Sequence, residues 1–284
     1  MSRTVYVNGE FVAEEDAKIS VFDRGFLFAD GVYEVTSVLD GKLIDFDGHC
    51  KRLARSLTEL DMDAPVDDAE LLQIHRDLIA GNSLVEGVIY LQVTRGAADR
   101  DFVYPTDAKP SLVLFTQEKS LVDAASAKTG IKVISVPDMR WGRRDIKTVQ
   151  LLAPSMSKMA AKAEGADDAW MVEDGFVTEG TSNNAYIVKS DGTIVTRHLT
   201  NEILHGITRA AVLRLAAESQ MKIEERAFTV EEAQGAAEAF VTAASTFVCP
   251  VVSIDGKPIG AGVPGPVALR LREIYIEESR SLAI

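Results

Sequence analysis

The chain has 284 residues, long enough for one large domain or two ordinary ones with hydrophobic cores of their own. Hydrophobic residues make up 46 % and charged residues 26 %, the balance of a globular protein rather than a disordered or membrane-embedded one. With 43 acidic side chains against 30 basic ones the net charge is −13, which repels phosphate backbones and anionic lipid, so neither nucleic acid nor a membrane is an expected partner.

The opening stretch MSRTVYVNGEF has no apolar signal core. No run approaches the ~20 apolar residues that cross a bilayer, and a cytoplasmic protein is expected. The first pattern in chain order is VYVNGEFV, a hairpin turning at Asn8-Gly9, followed by TSVLDGKLIDF, turning at Asp40-Gly41. Asn-Gly and Asp-Gly suit a type I′ turn, in which both residues take positive φ. Apolar residues at three and four spacings then predict helices over 49–60 and 67–82, and SLVLFT predicts a strand over 111–116. A polar, small-residue stretch over 117–130 separates that strand from the next, IKVISV. Beyond it, helices are predicted over 155–165, 206–220 and 265–280, with further hairpins at Asp174-Gly175, Asp191-Gly192 and Asp255-Gly256. The expectation is a mixed α and β chain in two domains: a small α+β domain over 1–117, a linker over 118–130, and a larger domain with a mostly antiparallel β core over 131–284. Seams of this kind are where small-molecule sites tend to form.

The cysteines and histidines carry little. Cys50 reads as helical filler and Cys249 as a buried strand residue, with no second thiol at metal-ligand or disulfide spacing. His49, His75, His198 and His205 form no metal-binding pattern.

Three stretches can carry chemistry. In RRDIKTVQLLAP, Lys147 stands between apolar runs, where its amine is poorly solvated and can act as a nucleophile. Position alone favours the plainer reading, a lysine that snorkels its amine to water. In VTEGTSNNAYIV, Glu179 follows the Asp174-Gly175 turn and precedes a Gly-Thr-Ser-Asn-Asn run too polar for a core. Most glutamates at such strand ends are simply solvated. In LHGITRAAVLRLAAESQ, Gly206, Ile207 and Thr208 open a helix whose free amides suit a phosphate. The plainer alternative is an ordinary helix with Thr208 as its N-cap. Together, a lysine able to form a Schiff base, a carboxylate and a helix N-terminus are the parts that hold pyridoxal phosphate.

The motifs DRGFLFADGVYE (from Asp23 to Glu34), HCKRL (from His49), VTRGAADRDFVYP (from Val93), RRDIKTV, VTEGTSNN and ILHGITR (from Ile203) stand in the order and approximate spacing of fold-type IV aminotransferases. The chain resembles that family over nearly its whole length, and within it most resembles D-amino-acid transaminases. The resemblance implies a two-domain enzyme with pyridoxal 5′-phosphate bound covalently to Lys147, which then moves the substrate proton. It makes Glu179 the partner of the pyridine nitrogen, and Arg52 the phosphate grip, with Ile207 and Thr208 donating to the same group. Leu204 would pack against the cofactor ring, and Tyr33 would act beside the substrate, with Ser182 on the substrate side. Arg100 would receive the substrate carboxylate of a neighbouring subunit, which implies a homodimer acting on amino acids and 2-oxo acids.

Three positions depart from the family pattern. Phe102 stands where D-amino-acid transaminases commonly have a histidine, which removes a carboxylate donor, gives the pocket an apolar lining and widens the range of substrates. Ala243 and Ala244 replace hydroxyl residues near the phosphate, leaving Ser245 or Thr246 as substitutes, and Ala29 turns the usual FGDG into FADG. The rival readings are branched-chain L-amino-acid transaminase, R-amine transaminase, aminodeoxychorismate lyase and, remotely, a non-catalytic pyridoxal-phosphate-binding protein.

Overall fold

A computed structural model describes residues 2–284. The chain forms two compact units. The first holds residues up to Ser120, with Ile146–Gln150 and Leu282–Ile284; the second holds Leu121–Asp145 and Leu151–Ser281.

The first unit contains β1 (Thr4–Val7), β2 (Glu10–Ala13), α1 (Arg24–Phe28), β3 (Gly31–Leu39), β4 (Lys42–Leu43), α2 (Phe46–Glu59), α3 (Asp68–Gly81), β5 (Gly87–Thr94) and β6 (Ser111–Glu118). Its six strands lie in the order β2-β1-β6-β5-β3-β4, antiparallel throughout. Period-two alternation turns Ile89, Leu91 and Val93 of β5 and Leu112 and Leu114 of β6 to one face. There they pack with Cys50, Leu53 and Leu57 of α2 and Leu71, Ile74 and Leu78 of α3. The other face carries a stack of rings, Tyr33 on Tyr90 (centroids 5.6 Å apart) and Tyr90 on Phe115 (4.9 Å).

Chain position alone groups Ile146–Gln150 with the second half of the sequence; backbone bonding attaches it to the first unit. Beside the start of β3, Tyr33 N–H donates to the Lys147 carbonyl (2.9 Å), Val149 N–H donates to Gly31 (3.0 Å), and Val32 bridges Thr148. The short β4 pairs only with Val38 and Leu39, so this segment covers strand edge that β4 leaves open.

The second unit contains α4 (Ala125–Thr129), β7 (Ile131–Pro137), α5 (Leu152–Ala163), β8 (Asp168–Glu173), β9 (Phe176–Gly180), β10 (Asn184–Val188), β11 (Ile194–Thr196), α6 (Ile207–Glu218), β12 (Ile223–Glu225), α7 (Val230–Gln234), β13 (Glu238–Ala243), β14 (Phe247–Ile254), β15 (Lys257–Pro258) and α8 (Pro266–Leu282). Its nine-stranded sheet runs β12-β11-β10-β13-β14-β7-β8-β9, with β15 beside β14. The pairs β11–β12, β14–β7 and β7–β8 are parallel and the rest antiparallel, as a mostly antiparallel core requires. Trp170, Val177, Ile187, Phe228, Val241 and Val251 lie at the centre of its apolar core.

Four of the five expected hairpin turns have both residues left-handed, for example Asn8 and Gly9 at φ 48° and 101°. Asp191-Gly192 differs: only Gly192 has positive φ, and residues 189–193 connect β10 to β11. There the Asp191 carboxylate accepts the Thr193 amide (3.0 Å), so a side chain takes over part of the turn. Cys50 and Cys249 are buried free thiols in α2 and β14. The helices α1, α4 and α7, each of five residues, were beyond the periodicity signal because one turn repeats no pattern.

Candidate active site

In the first unit the site grows from β3. Successive residues of a strand face opposite ways, so Tyr33 and Glu34 leave on different sides of the sheet. The Lys147 amine lies 4.1 Å from the centre of the Tyr33 ring, and among the described residues no carboxylate pairs with it. A half-buried amine against a π face, with no carboxylate beside it among the described residues, suits an amine that must react. Its backbone is fixed by Tyr33 and by Ser56, whose hydroxyl accepts the Lys147 N–H at 3.4 Å.

Glu34 is 2 % exposed, and its carboxylate accepts Arg52 Nε (2.8 Å) and Nη2 (2.7 Å) and meets His49 Nδ1 at 2.7 Å. Burial pushes this carboxyl up, but the Arg52 charge and the bonds from Arg52 and His49 outweigh it and hold it down to about 2. The Nε and Nη2 donors of Arg52 thus orient its guanidinium on Glu34. Sequence reasoning missed Glu34 and His49 as members of this group, because a glutamate in GVYEVTSVL reads as the solvated side of a strand.

Arg100 is exposed, with its guanidinium over Phe28 (5.3 Å) and Phe102 (5.6 Å), which pack edge to face on each other. The loop carrying it is anchored by the DRGFLFADG motif. Asp23 caps α1 and accepts Thr94 and Ser111 hydroxyls (2.9 and 2.8 Å). Asp30 accepts Arg24 Nε (2.7 Å) and Arg95 Nε (2.8 Å). Arg24 donates onward to the Asp101 carbonyl, and Arg95 lies 3.5 Å from the centre of the Tyr104 ring. Ala29 closes α1 at φ 55°, ψ 30°, a left-handed position that the FGDG of the family would fill without strain.

In the second unit Glu179 stands near the end of β9 and is 4 % exposed, not solvated. Its Oε1 accepts Arg140 Nη1 (2.5 Å), its Oε2 accepts Asn184 Nδ2 (3.0 Å), and the Leu204 amide reaches both oxygens (3.2 and 3.1 Å). Burial raises its proton affinity and the Arg140 charge opposes that rise. Asn184 also donates to the Leu204 carbonyl, and a Cβ at position 206 would overlap its Oδ1. Glycine at 206 therefore lets the start of α6 close on β10. Gly206, not Thr208, is the N-cap of α6, and no side chain caps it. The amides of Ile207 and Thr208 thus have no acceptor within the helix. Across the sheet, Asn184 pairs with Thr242 of β13, whose next residues run into the turn at 244–246. Ser245 is half-buried there; the Thr246 hydroxyl oxygen is fully shielded and has no hydrogen-bond partner among the described residues. Ser182 is exposed beside Thr181 and Asn183, which both donate to buried Asp168.

The basic cluster Arg140–Lys147 is no open patch. Arg140 pairs with Asp138 and Glu179, Arg143 with Asp145, and Arg144 with Glu173. Asp138, Asp145, Glu173 and Asn184 carried no signal in the sequence beyond their polarity.

The residues present fit pyridoxal phosphate. Lys147 offers an amine with no carboxylate partner among the described residues, Glu179 a buried carboxylate that can face a ring nitrogen, and α6 an N-terminus without a side-chain cap. The orphaned hydroxyl of Thr246, beside Ser245 in the same turn, marks a place where a polar ligand atom is wanted.

The family model described as amino-transferase class IV matches residues 31–254. A D-alanine aminotransferase of Staphylococcus aureus is 37% identical over 270 residues, covering 95% of each chain. One of Bacillus licheniformis is 39% identical over 263 residues, covering 93% of this chain and 92% of its own. Among solved structures, the T.th. branched-chain amino acid aminotransferase with pyridoxamine 5′-phosphate superimposes with a TM-score of 0.91 at 27% identity, covering 100% of this chain and 98% of that one.

Proposed function

This chain belongs to the class IV aminotransferases, and is thereby a pyridoxal-phosphate-dependent enzyme, and from that premise we propose that it transfers the amino group of a D-amino acid to a 2-oxo acid in a ping-pong cycle. The observation that carries the substrate class is the identity of 37% to 39% with D-alanine aminotransferases along nearly the full chain.

When bound, the cofactor withdraws electrons from the substrate Cα and takes up the amino group. Lys147 is the covalent anchor and, once released by substrate, the base and acid that moves the Cα proton. Tyr33, against the Lys147 amine, orients it and lines the substrate side with Ser182. Glu179 would face the ring nitrogen of the bound cofactor. Leu204, whose amide fixes Glu179, would pack its side chain on the ring. Arg52, the Ile207 and Thr208 amides and the hydroxyls of the Ser245–Thr246 turn hold the phosphate. Arg100 receives the substrate carboxylate, and Phe102 gives that end an apolar wall.

Arg100 serves the site of a second copy in a homodimer. Supporting this, Phe26, Phe102 and Val103 are 75%, 77% and 74% exposed on α1 and the Arg100 loop, an apolar surface that a second copy would cover. Mixing inactive Lys147→Ala with impaired Arg100→Ala protein should raise D-alanine turnover above that of Arg100→Ala alone if Arg100 works in trans.

The structural neighbours with branched-chain activity and the apolar Phe102 favour one second reading, a branched-chain L-amino-acid transaminase. A donor screen with D- and L-alanine, glutamate and leucine and R-phenylethylamine, against two 2-oxo acids, separates the two. Turnover of D-alanine or D-glutamate supports the first; preference for L-leucine over every D-amino acid overturns it.

A further inference from the structure

The Glu179 carboxylate has one charged neighbour that none of the roles above uses. Asn184 and the Leu204 amide are neutral donors that fix its direction; Arg140 is the cation within ion-pair distance. Arg140 is itself held rigidly. Its Nε and Nη2 form a two-pronged pair with Asp138 (2.9 and 2.7 Å), and its own amide donates to the same carboxylate (3.1 Å). Asp138 is fully buried at its side chain, accepts the Thr178 hydroxyl at 2.7 Å, and lies 3.5 Å from Arg144, which pairs with Glu173. Charges therefore alternate along a row, Glu173, Arg144, Asp138, Arg140, Glu179, that ends on the carboxylate read above as the ring-nitrogen partner.

A buried carboxylate facing a pyridine nitrogen can share one proton in two ways. The proton can sit on the ring, with the carboxylate as anion, or on the carboxyl, with the ring neutral. Only the first makes the ring a strong electron sink. Desolvation and the nearby Asp138 charge favour a protonated Glu179; the Arg140 guanidinium, in direct contact with Oε1, favours the anion. The guanidinium touches Oε1 itself, so it acts directly on the carboxylate and lowers its basicity.

We propose that Arg140, braced by Asp138, is a positioning residue that holds Glu179 anionic and in one orientation, and so keeps the shared proton on the cofactor's ring nitrogen. This rests on the reading of Glu179 as the ring partner. The same bracing explains why a short loop between β7 and the Lys147 segment is so densely charged: Asp138 fixes Arg140, and Arg140 acts on Glu179 through a direct, charged hydrogen bond.

The test is the nitrogen NMR resonance of the ring in holoenzyme loaded with isotope-labelled pyridoxal phosphate. In the unaltered enzyme the resonance should lie at the protonated position. Arg140→Met should move it toward neutral pyridine, with kcat lowered about ten- to a hundredfold and KM for the amino donor changed less than about threefold. Arg140→Gln, which keeps hydrogen-bonding capacity but not charge, should move it in the same way and serves if the methionine variant does not fold. Arg140→Lys should return it most of the way. A shift as large in Arg140→Lys as in the uncharged variants would overturn the charge-based role. So would an unmoved resonance in Arg140→Gln alongside a shifted one in Glu179→Gln, an outcome that leaves Glu179 as ring partner. An unmoved resonance in Glu179→Gln would remove the ring-partner reading itself, and this proposal with it.

Discussion

Glu34 should tie the stability of the enzyme to pH in a defined window. Its carboxyl has an ordinary value of 4.5, and in the folded protein Arg52 and His49 hold it down to about 2 against the effect of burial. A carboxyl lowered on folding stabilises the fold fully above its unfolded value and loses that contribution as pH falls through its folded value. The window is therefore pH 4.5 down to about 2. At about 1.4 kcal/mol per tenfold in proton affinity, the contribution at neutral pH is about 3 kcal/mol. Glu34→Gln leaves the Arg52 guanidinium buried against a neutral amide, so the loss at neutral pH is expected to reach about 3–5 kcal/mol. Urea unfolding of both proteins, followed by circular dichroism at steps from neutral pH to below pH 4.5, measures both quantities. The variant should be less stable when neutral and should lose less with acid. Parallel stability–pH curves below 4.5 would refute the reasoning, because they would mean that Glu34 titrates alike folded and unfolded.

Lys147→Ala should abolish turnover and, after borohydride treatment, carry no pyridoxyl adduct by mass spectrometry; the unaltered chain should carry its adduct at Lys147, and an adduct at Lys158 or Lys162 would displace the assignment. Arg100→Ala should depress transamination of D-alanine by roughly ten- to a hundredfold in kcat/KM, since a charge-assisted bond to a carboxylate is worth about 1.5–3 kcal/mol. The same variant should affect an R-amine without a carboxylate much less, and equal losses on both substrates would remove Arg100 from carboxylate recognition. Ala29→Gly should raise stability by about 0.5–1 kcal/mol in the same urea assay, because it releases a left-handed alanine at the end of α1.

What the sequence made legible, and what it hid, follows from the range over which each signal acts. Turn chemistry is local, so Asn8-Gly9, Asp40-Gly41, Asp174-Gly175 and Asp255-Gly256 could be read from two residues each, and their positive φ values follow. Asp191-Gly192 has the same spelling but a longer connection, and nothing in the dipeptide tells how far away the strands end. Helical periodicity needs two or more turns to repeat, which exposed α2, α3, α5, α6 and α8 and hid α1, α4 and α7. The site was legible where a residue is unusual for its surroundings, as Lys147 is between apolar runs. It was illegible where a charge is made ordinary by a partner distant in sequence. Glu34 lies 18 residues from Arg52, and Arg140 lies 39 from Glu179, so neither member of either pair signals its burial. A charged residue inside a strand reads as solvent-facing unless its counterion is known, and only the folded chain supplies the counterion. Motif resemblance can assign a role to Glu179, but it says nothing about which cation keeps that carboxylate an anion. That condition is set by Arg140 and Asp138, in a loop where the sequence showed only a short run of basic charge.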